Sequence, residues 1–236
     1  MSNLTHALLL ATLGGITIPL GGFVAAFEHI RPRWLEQELR HSVIAFGGGA
    51  LFAAVALVLV PEGTKHVSAA VALACFAGGG IAFFAVDRLI QRRGGSGSQL
   101  MAMLLDFLPE SLALGAMLAA GEPAGLLLAL LICLQNFPEG FNAYREMVAS
   151  GASARRVLVA FMLIVLLGPL AALGGFLFLE SYRPALATIM LFAAGGILYL
   201  TFEDIAPQAK LKRHWAPSLG AVAGFLLGLG GHLALH

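Results

Sequence analysis

The chain has 236 residues, 59% of them apolar and only 11% charged, with a mean hydropathy of +0.88. A water-soluble domain carries about a quarter charged residues, so a soluble globular protein is excluded. With 14 Lys and Arg against 13 Asp and Glu, and no basic block to neutralise phosphates, nucleic-acid binding is excluded as well.

Apolar stretches run at 6–27, 41–60, 67–86, 100–120, 124–144, 157–179, 185–202 and 215–235, each near the roughly 20 residues that a helix needs to cross a bilayer. None shows the ten-residue alternation of a membrane β-barrel. The expectation is an all-α, polytopic integral membrane protein, a single unit of eight transmembrane helices over 1–236. No positive residue precedes Arg31, so the first stretch reads as a permanent helix rather than a cleaved signal. Arg31, Arg33 and Arg40 follow the first span; Arg88, Arg92 and Arg93 the third; Arg145, Arg155 and Arg156 the fifth; Lys210, Lys212 and Arg213 the seventh. Twelve of the 14 positive residues thus fall in alternate connections. These connections are expected on the cytoplasmic side, with both termini outside. Gly94-Gly95-Ser96-Gly97-Ser98 reads as a flexible linker on that inner face. Cys75 and Cys133 lie within apolar stretches and read as buried thiols.

Asp106, Glu110 and Glu139 are out of place: they fall well inside the fourth and fifth spans, where neither span holds a Lys or Arg. An ionised acid at the bilayer centre costs about 2.5–3.5 kcal/mol on insertion scales, so a bound cation or protons must neutralise them. Asp106 and Glu110 share a helix face at i,i+4, as do Gln135 and Glu139. A short turn at Glu122-Pro123 makes the two helices antiparallel. Glu110 and Gln135 then lie about 18 Å from it, and Asp106 and Glu139 about 24 Å. Pro109 and Pro138 directly precede the two glutamates, and an interior proline frees the carbonyl four residues earlier, so a kink with turned carbonyls is expected beside each acid. Asp106-Phe107-Leu108-Pro109-Glu110-Ser111 and Gln135-Asn136-Phe137-Pro138-Glu139-Gly140 form an internal repeat on oppositely directed helices, the inverted-repeat pattern of many carriers.

Those two segments resemble the ZIP family of divalent metal transporters, whose fourth and fifth spans carry a His-Asn-x-Pro-Glu-Gly type motif. The match is strongest at Gln135–Gly140, and it extends to Leu59-Val60-Pro61-Glu62, Ala193-Ala194-Gly195 and Glu203-Asp204. The resemblance implies a metal site at Asp106, Glu110, Gln135 and Glu139, with Asn136 nearby. It also implies a homodimer and residence in a bacterial inner membrane. Family members commonly have His at the position of Asp106, Asn at that of Phe107 and Glu at that of Gly168. Phe107 cannot ligate and Gly168 has no side chain, so one metal per protomer is expected rather than a bridged pair.

The expected function is uptake of a divalent cation into the cytosol, with zinc first and iron, manganese or cadmium behind, and no cofactor beyond the transported ion. Asp106, Glu110 and Glu139 with amide oxygens make an all-oxygen set, which suits harder ions better than a site bearing imidazole. The bland alternatives are protonated acids hydrogen-bonded in a packed bundle, and Gln135 and Asn136 as interhelical ties. Glu62, Glu203 and Asp204 are either entrance and exit residues or solvated helix ends. The rival functions are a proton-coupled or non-zinc carrier and a metal-binding relative without transport. An enzyme is not expected, because an intramembrane metallohydrolase needs a His-Glu-x-x-His helix and the chain has none.

Overall fold

The computed structural model describes residues 2–28, 33–93, 97–209 and 216–235, and all regular structure among them is helical. α1 spans Asn3–Phe27. α2, Arg33–Ala54, runs through a π-helical segment, Val55–Leu59, into α3, Val60–Thr64. α4 is Ala69–Arg93, α5 Gly97–Ala119 and α6 Ala124–Ala149. α7, Ala154–Val165, continues as α8, Leu167–Gly174, and a π segment, Gly175–Leu179. α9, Arg183–Leu200, leads through a third π segment, Thr201–Ile205, into α10, Ala206–Gln208, and α11 is Ala216–Leu235.

Among the described residues, seven helical rods are long and apolar enough to cross a membrane. α5 covers the expected fourth stretch with 23 residues but is not among the seven. Gly97 and Ser98 open α5, so two of the five residues expected as linker are helical; residues 94–96, like Arg31, Lys210, Lys212 and Arg213, lie outside the described residues. The remaining cations of the basic connections, Arg33, Arg40, Arg88, Arg92, Arg93, Arg145, Arg155 and Arg156, lie at or near helix ends on one side of the bundle, called the basic end below.

The helices are held in pairs by glycine. On α1 and α6, a Cβ added at Gly21 would collide with the Phe137 carbonyl, and one at Gly140 with the Ile18 carbonyl. The same reciprocal contact joins α2 to α11 through Gly49 and Gly224, α4 to α9 through Gly79 and Gly195, and α5 to the α8 rod through Gly115 and Gly175. Absent side chains let backbones touch, which is how helices associate where lipid removes the hydrophobic drive.

The sequence points to Pro109 and Pro138 as the places where helices distort, yet α5 and α6 run unbroken through both. Two of the three π segments instead end just before Pro61 and Pro207. There the Val60 N–H bonds to the Val55 carbonyl, and the Ala206 N–H to that of Thr201. The proline behind each has no N–H to give, and widening the preceding turn absorbs the misfit.

Candidate metal centre

The α5–α6 connection turns at Gly121, whose φ of 70° glycine adopts without a steric penalty. This tight reversal places residues equally far from it at equal depth. Gln135 and Glu110 meet as the spacing requires: Gln135 Nε2 donates to Glu110 Oε2 at 2.5 Å, and both side chains are fully buried. Beyond the turn, Glu122 pairs with the Arg183 guanidinium at the start of α9.

About one helical turn further towards the basic end, Asp106 and Glu139 face a cavity of about 60 Å³, room for a few waters or a partly hydrated ion. Its walls come from α2, α5, α6 and the α9 rod, and it runs past Met103 to Asn142, Asp204 and Gln208. Asn142 Nδ2 donates to Glu146 Oε1 at 2.9 Å and to Gln208 Oε1 at 2.8 Å, tying α6 to α10. Of the two acids at the end of the seventh span, Asp204 lines the cavity while Glu203 is exposed. Glu62 lies at the far end of the bundle, half-buried, and accepts from the exposed Lys65 Nζ at 2.6 Å, a local i,i+3 pair.

The polar atoms around Glu110 and Glu139 are poorly matched. Glu110 Oε1, Gln135 Oε1, Asn136 Oδ1 and both carboxylate oxygens of Glu139 are buried without a hydrogen-bond partner. Each such acceptor costs about 1–3 kcal/mol in desolvation. Asp106 accepts the Phe107 N–H at 2.8 Å. None of the ion pairs among the described residues reaches Asp106, Glu110 or Glu139. Acceptors without donors are answered by protons or by a metal cation. Among the described residues, no three His, Cys, Asp or Glu side chains are grouped tightly enough to hold an ion in this conformation. Glu110 and Gln135 form one close pair, and Asp106 and Glu139 share the cavity wall. Asn136 is held by α1: its Nδ2 donates to the Gly14 carbonyl at 3.0 Å, while its Oδ1 has no partner.

Phe107 and Gly168, two of the three positions where the sequence departs from the pattern it resembles, touch. A Cβ added at Gly168 would lie 2.6 Å from Phe107 Cζ and 2.9 Å from the Ala11 carbonyl, and Phe107 is fully buried. The ring occupies the space where a carboxylate at 168 would stand.

Sequence reasoning misses Met103, Asn142 and Gln208 as cavity walls. A signal for two of them exists: Met103 precedes Asp106, and Asn142 follows Glu139, by three residues on the same helix. Gln208 reaches the cavity only because α10 and the π segment before it pack against α2.

No family model matches the chain. It is 36% identical over 133 residues to the zinc transporter GufA of Myxococcus xanthus, a match covering 55% of this chain and about half, 52%, of that protein. It is 23% identical to the zinc transporter ZupT of Chlorobium phaeovibrioides over 266 aligned positions, spanning 95% of this chain and 96% of the relative. The resemblance to the ZIP family is borne out by these homologues, which are transporters rather than enzymes.

Proposed function

We propose that this chain is a divalent-cation carrier of the ZIP type, with zinc as its first substrate and iron, manganese or cadmium behind it. The observation that carries the reading is the set of buried, unpartnered acceptors on Glu110, Gln135 and Glu139, of which Glu139 lines a cavity together with Asp106. An ion there exchanges hydration water for carboxylate and amide oxygens. Glu110 Oε1 and Gln135 Oε1 are free to take it without breaking the bond between the two side chains. Glu139 and Asp106 close in from one turn away, and Asn136 acts through its tie to α1 more than as a ligand. The Phe107 ring against Gly168 supports a single ion per chain.

The whole chain forms the transporting unit, with α5 as the fourth of eight spans and both termini outside. The basic end is then cytoplasmic by the positive-inside rule, and the cavity is the exit. Inverted-repeat character is supported by two features. The α2 and α9 rods run in opposite directions, and each carries a π segment and a proline near its own C-terminal end. The glycine contacts pair α1 with α6 as they pair the α8 rod with α5.

A second reading, a carrier for harder ions such as Mn²⁺, is favoured by the all-oxygen donor set at Asp106, Glu110, Gln135 and Glu139. Uptake by purified protein in liposomes, with Zn²⁺, Fe²⁺, Mn²⁺, Cd²⁺ and Mg²⁺ compared in parallel, tests both. Saturable flux that is lost in Glu139→Ala is the expected result. Equal flux in wild type and Glu139→Ala removes the site, and flux of Mn²⁺ without Zn²⁺ selects the second reading.

A further inference from the structure

The named relatives are zinc transporters, yet the oxygen set at Asp106, Glu110, Gln135 and Glu139 lacks the imidazole or sulfur that borderline-soft ions prefer. The cavity supplies one soft atom. Met103 is 4% exposed and lines the cavity together with Asp106 and Glu139, and it is the only sulfur-bearing side chain among the described residues that do so. Met103, Asp106 and Glu110 stand at i, i+3 and i+7 on α5, one continuous helix face. Met103 is therefore three residues, about 4.5 Å along the axis, from Asp106 on the side of the basic end.

We infer that Met103 is a soft ligand of the transported ion: its thioether contacts the metal beside Asp106 and Glu139 and tilts selection towards Zn²⁺ and Cd²⁺ over Mn²⁺ and Mg²⁺. This rests on the carrier reading above. Met103 fits the role because its unbranched side chain lets the sulfur swing towards or away from an ion without moving the helix. Thioethers also stay neutral, so the contact adds softness without adding a fourth negative charge to a buried site. A thioether holds such an ion weakly, which suits a position the metal must leave.

The test is X-ray absorption at the cadmium edge on full-length protein in nanodiscs loaded with Cd²⁺, for wild type, Met103→Leu and Glu139→Ala, beside Zn²⁺ and Mn²⁺ flux in liposomes. Met→Leu nearly conserves volume, so the fold is retained. Wild type is expected to show a sulfur scatterer that Met103→Leu lacks. The Zn²⁺-to-Mn²⁺ flux ratio is expected to fall roughly five- to tenfold in Met103→Leu, a shift of about 1–1.4 kcal/mol. An all-oxygen shell in wild type overturns the inference, as does an unchanged ratio or a sulfur signal that survives Met103→Leu. Glu139→Ala separates the two levels: if it keeps full Cd²⁺ binding, the site itself is wrong, whereas if it loses binding while Met103→Leu behaves as wild type, Met103 alone is.

Discussion

The α5–α6 hairpin is two different materials end to end. In the half next to its turn, Ala113, Leu114, Ala116 and Met117 on α5 and Leu127, Leu128, Leu131 and Ile132 on α6 are all 1% exposed or less. There the helices are packed as a protein interior, and the Glu122–Arg183 ion pair ties the turn to the start of α9. In the other half the same helices part around a cavity whose wall bears Asp106, Glu139 and Asn142. Glu110 and Gln135, joined by their hydrogen bond, mark the boundary. The difference teaches that depth along one hairpin decides access: four residues separate an acid facing a cavity from one enclosed completely.

The largest effect is expected from forcing α6 away from α1 in the cavity half, one residue beyond Glu139. Gly140→Ala drives a methyl into the Ile18 carbonyl, and overpacking of this kind costs about 1–3 kcal/mol. The melting temperature of detergent-purified protein is expected to fall, and an unchanged value would mean that α1 and α6 are not in backbone contact. Next in size is the contrast in accessibility. In a background with Cys75 and Cys133 replaced, a cysteine introduced by Asn142→Cys is expected to react with a hydrophilic thiol reagent applied to the basic end at least about tenfold faster than one introduced by Leu114→Cys. Exposing the latter needs an opening that costs about 1.4 kcal/mol or more. Equal rates would erase the boundary.

Smaller again, Asp106→His should raise Zn²⁺ flux relative to Mn²⁺ by a few-fold, because imidazole suits zinc better than a carboxylate does. An unchanged ratio would count against Asp106 as a ligand. Least of all, Glu122→Gln removes a half-exposed ion pair worth roughly 0–1 kcal/mol. It should alter reactivity at Leu114→Cys by less than about fivefold, and a larger rise would show that the ion pair, not the packing, seals that half.

How much of this the sequence discloses depends on range. The helical stretches are legible because bilayer thickness dictates their length: helices occupy most of each expected range, and seven rods among the described residues are long and apolar enough to cross a membrane. The Glu110–Gln135 contact is legible too, since a two-helix hairpin with a short turn leaves little freedom of register. Distortion is not: Pro109 and Pro138 advertise it, but the altered turns lie before Pro61 and Pro207. A proline's local cost is visible in sequence, whereas the neighbours that absorb it are not. Asn136 reads as a ligand candidate by its place beside Gln135, and only the packing of α1 shows that its amide is held by the Gly14 carbonyl. Met103 passes for filler until three other helices enclose the cavity around it.

The contact between Phe107 and Gly168 constrains the order in which this protein can change. An acid cannot enter at 168 while the Phe107 ring occupies the space, because even a methyl there lies 2.6 Å from Cζ. Replacing Phe107 alone by a small polar residue would leave a void against Gly168 and Ala11 inside the bundle, itself destabilising. Each single step passes through a less fit intermediate, so the two positions are epistatic. A lineage that has accepted one of the pair is held to the other, and exchange between the two solutions is a valley crossed only by both substitutions together.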